Sequence, residues 1–303
     1  MIGSALLAFV LPFELLLFSY AVLGPLHYLT EISWLHDRGY FTTGRRDFVP
    51  LVVLTVLAFA VDGTEAARWT GFIFLAFGLS FGLAFLETTR QKIYLALGCA
   101  LVSPLVHGFE PTAVLFTIFL VTIVHVYVFT GVFILQGSFK SGRASGFVSF
   151  AIFLVCGVAL LAHRPSAEDY QLGTYTAANV DAFLPLIQPL GKWTGVQDRD
   201  GWIAVGRFLG FAYTYHYLNW FSKTGIIRWH EVSRRRLTAI AIVYAASLAL
   251  YAWSYSLGLI ALLFLSLLHV LLEFPLDVRA MADVGRAVGR LPTRAATVRA
   301  RAR

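Results

Sequence analysis

Runs of apolar residues, separated by short polar and mostly basic stretches, fill the chain from residue 4 to residue 274. A membrane-crossing helix needs about 20 mostly apolar residues. Nine segments answer to that pattern: 4–29, 49–61, 70–88, 92–107, 112–135, 146–162, 202–221, 238–255 and 257–274. The second is short for a span. The pattern predicts an all-α fold, a polytopic transmembrane domain of about nine helices over 1–274, followed by an Ala- and Arg-rich tail over 275–303. No internal repeat of fixed period interrupts this plan.

Charge orients the helices, because Lys and Arg accumulate in short cytoplasmic loops. With the N-terminus outside, the inner loops and tail hold nineteen basic residues: Arg38, Arg45, Arg46, Arg90, Lys92, Lys140, Arg143, Lys223, Arg228, Arg234, Arg235, Arg236 and seven arginines from Arg279 to Arg303. The outer loops hold only Arg68, Arg164, Lys192 and Arg199, and Arg207 falls inside the seventh segment. The asymmetry favours nine spans, N-out and C-in. An eight-span arrangement with 49–61 re-entrant would lose it. The expected location is an integral position in a bacterial inner membrane, with a cytoplasmic C-terminus.

Composition agrees. Of 303 residues 58% are apolar and only 14% charged, against about 25% charged in soluble domains, and the mean hydropathy is +0.72. The net charge of +7 is the positive-inside signal plus a tail suited to anionic lipid head groups, so it calls for no nucleic-acid partner. The N-terminal segment lacks a basic n-region and a small-residue cleavage site and is longer than a signal-peptide core, which reads as a retained first helix. Cys99 and Cys156 both fall within spans, which implies neither a disulfide framework nor a Cys-based metal site.

Two loops stand out. Residues 30–48 are mixed in charge and aromatic, as in a short interfacial helix folding back beneath the first span. Residues 163–201 contain Pro165, Pro185 and Pro189 and end in Gln197-Asp-Arg-Asp200, which suits either a cap over the outer face or a solvated connection. Within the spans, Glu14 and Arg207 are placed to form a buried ion pair; otherwise Glu14 serves a proton path or stays protonated while Arg207 snorkels.

The chemistry lies in the histidines. His27 is followed four residues later by Glu31, and His269 by Glu273. Residues four apart share a helix face, so each pair offers an imidazole and a carboxylate side by side. Ionisable groups at membrane depth are costly and usually functional. With the N-terminus outside, His27, His125, His216 and His269 all lie on odd-numbered spans in the cytoplasmic half, at depths agreeing within about 12 Å. His36 and His230 flank this half from the loops, and His107 and His163 lie at the outer ends of even spans. A single membrane histidine is often only an interhelical hydrogen-bonding group, whereas four at matched depth point to one metal site.

The expected ligands are His27, His125, His216 and His269, with Glu31 and Glu273 as further ligands, as catalytic groups, or as carboxylates that fix the imidazoles. Imidazole with carboxylate suits non-haem iron, one ion or two, and zinc or manganese fit the same donors. The segment around His216 reads Phe-Ala-Tyr213-Thr-Tyr215-His-Tyr217-Leu-Asn219-Trp220. Its aromatics are either lining for a flat apolar substrate or an interfacial aromatic belt. Asn219 is placed to hydrogen-bond a ligand or a metal-bound water.

These stretches resemble the Brp/Blh family of integral-membrane β-carotene dioxygenases. Gly24-Pro-Leu-His27 with Glu31 is similar to the family's early Gly-Leu-Pro-His with an acid four residues on. Ile123-Val-His125-Val resembles its Ile-His-Phe, Tyr215-His216 its late aromatic-flanked histidine, and His269 with Glu273 its C-terminal histidine and acid. The order is the same across most of the chain. The chain departs in having Trp220 where the family has a second histidine, Glu in place of both Asp residues, and Tyr28 after the first histidine. The resemblance implies a metal-dependent oxygenase more firmly than retinal formation, with Glu31, Glu273 or His269 filling the place of the lost ligand.

The expected function is therefore a membrane oxygenase using non-haem iron and dioxygen on a carotenoid or other long apolar molecule arriving from the lipid. A fatty-acyl desaturase or hydroxylase fits less well, since those enzymes pack histidines into clustered pairs. A b-type haem electron-transfer protein, pairing His27 with His125 and His216 with His269, has no use for the acids. A proton or metal transporter would line its path with the same histidines.

Overall fold

The computed structural model describes residues 1–60, 66–107, 115–163, 170–195 and 198–290. Arg164, Pro165, Gln197 and the tail beyond Arg290 lie outside the described residues, as do the side chains of Arg68, His107 and Arg199. All regular structure among the described residues is helical. The principal helices are α1 (Ile2–Val10), α2 (Pro12–Asp37), α3 (Phe48–Ala60), α4 (Ala66–Leu83), α5 (Thr89–His107), α6 (residues 115–141), α7 (Ala144–Ala162), α8 (Thr174–Asn179), α9 (Leu184–Thr194), α10 (Arg199–Ser222), α11 (Thr224–Ile227), α12 (Arg234–Trp253) and α13 (Tyr255–Gly289).

Five of these are long and apolar enough to cross a membrane: α2, α7, α12, α13 and Phe119–Ser141 of α6. Helix α7 is apolar all round and exposes Val155 and Val158 (66% and 64%), as a helix facing lipid does and one facing water does not. The molecule is an integral membrane protein by this criterion. Helix α10 falls outside the five for a physical reason: it is walled in by α1, α2, α7 and α9, so its polar Arg207, Thr214 and His216 face protein rather than lipid.

Three predicted boundaries move. The first span is not continuous from residue 4. Pro12 lacks an N–H and disfavours a helical conformation in the residue before it, so the chain breaks at Leu11 (φ −127°, ψ 63°) and restarts with Pro12 at the first helical position. Second, α2 does not end at residue 29; residues 30–37 of the expected interfacial loop continue it, burying Thr30, Glu31, Ser33 and Leu35. Third, α13 runs past residue 274 to Gly289 and is buried through Ala280, so the first part of the expected tail belongs to the bundle.

Pro275 explains why the sequence suggested an end there. A proline inside a helix leaves the carbonyl four residues earlier without its N–H partner. That carbonyl is Leu271, and Ser80 Oγ on α4 donates to it at 2.8 Å. The orphaned acceptor is satisfied from outside, and α13 continues through Asp277.

Two core clusters flank the centre of the bundle. Phe13, Leu16 and Leu17 of α2 pack against Phe208, Leu209 and Ala212 of α10, joined by Phe183, Leu186, Ile187 and Leu190. The 170–195 segment therefore forms a cap on the bundle end, and the solvated-connection alternative does not hold for it. Leu51, Ile73, Phe77 and Leu83 of α3 and α4 pack against Leu271, Leu272 and Phe274 of α13. At the opposite end Arg236 pairs with Asp37 at 2.7 Å and Lys92 with Asp47 at 2.7 Å.

Glu14 and Arg207 do not form the expected ion pair. Glu14 Oε2 accepts from Tyr170 Oη at 2.6 Å, while Arg207 lies over the Phe9 ring and 3.2 Å from His163 Nδ1. Burial, with the Glu14 carboxylate beside it, holds the Tyr170 phenol above its ordinary value, so it remains a donor.

Candidate metal centre

Helices α2, α6, α10 and α13 converge, and each brings one histidine to the same point. His27, His125, His216 and His269 are all buried, as are Glu31 and Glu273. Local helix geometry helps to aim two of them. The backbone widens to a π turn over Ser19–Leu23, directly ahead of Pro25 and His27, and Leu115–Phe129, which carries His125, is π-helical. Such insertions rotate the side chains that follow and recur at functional sites.

The donor atoms face one another closely. His27 Nε2 lies 2.9 Å from Glu31 Oε2 and 3.1 Å from His216 Nε2. The His27 and His269 rings are 5.4 Å apart between centroids, and the His125 ring stands 5.0 Å from His216 and 5.1 Å from His269. His27, His125 and His269 each offer one nitrogen within 4.8 Å of the others. His125 Nε2 is 3.6 Å from Glu273 Oε2, and the Glu31 and Glu273 carboxyls abut.

Hydrogen bonding does not account for this arrangement. One proton on His27 Nε2 can serve Glu31 or His216, not both. Neither nitrogen of His125 has a hydrogen-bond partner. Buried polar atoms are ordinarily paired, and donor atoms gathered this closely in the interior could hold a shared cation. Ligands of a first-row ion bound at about 2.0–2.2 Å stand about 3 Å apart at right angles, close to the two shortest separations. The residues present therefore fit a metal. Facing rings at these separations leave no slot for a porphyrin plane.

Thr130 sets one tautomer. Its hydroxyl donates to the Val126 carbonyl at 2.7 Å and meets His216 Nδ1 at 2.8 Å. With its proton committed, Thr130 accepts from Nδ1–H, which leaves a lone pair on His216 Nε2 directed at the centre. Thr130→Val is expected to weaken metal retention about 10- to 100-fold with little change in unfolding temperature, measured by metal content after graded chelator exposure. Unaltered retention would remove Thr130 from the account.

Of the predicted lining residues, Tyr213 and Tyr217 border a cavity of about 70 Å³ against His125, His216 and His269, together with Tyr20 and Tyr28. Tyr28 stacks on His269 at 4.3 Å, and its hydroxyl meets that of Tyr217 at 2.8 Å. Trp220 stands edge-on to His27 and donates to Thr30 Oγ1 at 3.2 Å. Tyr215 points elsewhere, stacking on Phe211 and leaning on Phe153. Asn219 is half-buried, and none of the described contacts joins its side chain to the cluster. His36 meets Tyr40 Oη instead, and His230 is exposed beside Trp229.

The residue that the sequence reading missed is Asp277. It is fully buried, with both oxygens unpartnered, and its Oδ2 lies 3.7 Å from His125 Nδ1. The signal was present: His269, Glu273 and Asp277 are spaced four apart and share one face of α13.

A polytopic helical membrane protein with a buried histidine–carboxylate cluster is the class that fold and site define. No protein family, curated protein or solved structure matches the chain.

Proposed function

We propose that the protein is a membrane-embedded non-haem iron oxygenase acting on a carotenoid or another long apolar isoprenoid or lipid, in a nine-span, N-out and C-in arrangement related to that of the Brp/Blh dioxygenases. The observation that carries this reading is the convergence of four buried imidazoles and neighbouring buried carboxylates, among them a His125 with neither nitrogen hydrogen-bonded. Mixed histidine and carboxylate donors with open positions suit ferrous iron that reacts with dioxygen.

His27, His125, His216 and His269 would hold the ion with Glu31 and Glu273. Iron bound there would supply dioxygen activation. Thr130 orients His216, Trp220 and Thr30 brace the His27 side, and the surrounding apolar core excludes water from reactive species. The small cavity beside three of the histidines has room for dioxygen, and its four tyrosines offer flat faces to a conjugated chain. A polyene exceeds about 70 Å³, so its access requires Val121 and Leu263, which border the cavity, to rotate aside.

Co-expression with a β-carotene pathway tests the reading. Expected is oxygen-dependent loss of β-carotene with formation of retinal or longer apocarotenals, abolished in His216→Ala. Unchanged carotenoids under air, from protein loaded with iron, would sink the carotenoid version.

A further inference from the structure

Seven buried metal-donor side chains meet in this bundle, more than one ion takes. They fall into two sets. His27, His125 and His269 bring donor atoms within 4.8 Å of one another, and so do His125, Glu273 and Asp277. His125 stands between the sets, with Nε2 toward Glu273 and Nδ1 toward Asp277. Along α13 the donors His269, Glu273 and Asp277 span eight residues, about 12 Å of helix rise. Ligands across a single ion stand only about 4 Å apart.

We propose that the centre binds two divalent cations, the second held by His125, Glu273 and Asp277. The inference rests on reading the cluster as a metal centre but not on its being an oxygenase. Asp277 supports it independently of the acids around it, because neither of its oxygens has a hydrogen-bond partner and the residue is fully buried. Glu273 brings an oxygen within 4.8 Å of ligand atoms of both His125 and Asp277, which places it as the carboxylate to bridge the two ions.

Helical bundles elsewhere hold paired ions 3.5–4 Å apart with inward-facing carboxylates and histidines.

The test uses the detergent-purified full chain, stripped and reloaded with ferrous iron, and in parallel with manganous ion. Elemental analysis is expected to give two ions per chain, falling to one in Asp277→Asn. The manganous protein is expected to show the spin-coupled electron paramagnetic resonance signal of a pair, replaced in Asp277→Asn by an uncoupled six-line spectrum. One ion per chain in the unmodified protein, or two retained by Asp277→Asn, would overturn the second site while leaving a one-ion centre standing. No bound metal at all would overturn both. Should Asp277→Asn fail to fold, the unmodified protein's stoichiometry and its coupled or uncoupled manganese signal decide the matter.

Discussion

Replacing His125 by Ala is expected to cost more metal than any other single histidine substitution, leaving less than about a tenth of the unmodified protein's iron. His125 contributes to both donor sets. Its nitrogens lie 3.6 Å and 3.7 Å from carboxylates on successive turns of α13, and its ring faces His216 and His269 at 5.0 Å and 5.1 Å. Its removal therefore takes a ligand from every part of the cluster. The comparison that gives the result meaning is His36→Ala and His230→Ala, which should hold metal at the unmodified level because neither side chain joins the cluster. Iron measured after desalting, alongside thermal unfolding, checks this. Equal iron in His125→Ala and His36→Ala would show that the cluster is a packing feature and not a metal centre.

Much of this centre could be read from spacing. The i, i+4 pairs His27/Glu31 and His269/Glu273 announce their common face whatever the tertiary structure, because helix geometry alone places them. Depth matching brought in His125 and His216, since a histidine in an apolar run has few partners except another polar group at the same level. The fold class was equally legible, because apolar segments of this length leave little choice but helices.

What escaped was context. Pro275 reads locally as a helix end, and the compensating Ser80 hydroxyl is 191 residues away in the chain; nothing near Pro275 signals it. Stopping there hid Asp277 and assigned the end of α13 to a tail. Glu14 and Arg207 looked like partners because opposite charges in spans usually pair, yet a tyrosine from the capping segment claimed the acid. Tyr215 and Asn219 were grouped with His216 by adjacency in sequence. On α10 adjacent residues point in different directions, so Tyr215 packs toward α7 while Tyr213 and Tyr217, flanking the His216 face, border the cavity.

Closure of the centre also depends on how near α2 and α10 approach, and Gly210 sets that distance. A Cβ built there would stand 2.8 Å from the Pro12 backbone carbonyl oxygen, and a backbone atom cannot swing aside as a side chain can. Gly210→Val should therefore force the helices apart and cost about 1–3 kcal/mol by overpacking, although valine is the better helix former. Because α2 carries His27 and α10 carries His216, the 3.1 Å approach of their Nε2 atoms should open with it, and iron retention should fall together with the unfolding temperature. Gly98→Val is the control: a Cβ at Gly98 on α5 meets nothing within 4 Å, so both quantities should stay near those of the unmodified protein. If Gly210→Val unfolds at the same temperature as Gly98→Val and keeps its iron, the α2–α10 contact does not set the geometry of the centre, and the histidines must be held in register by α13 alone.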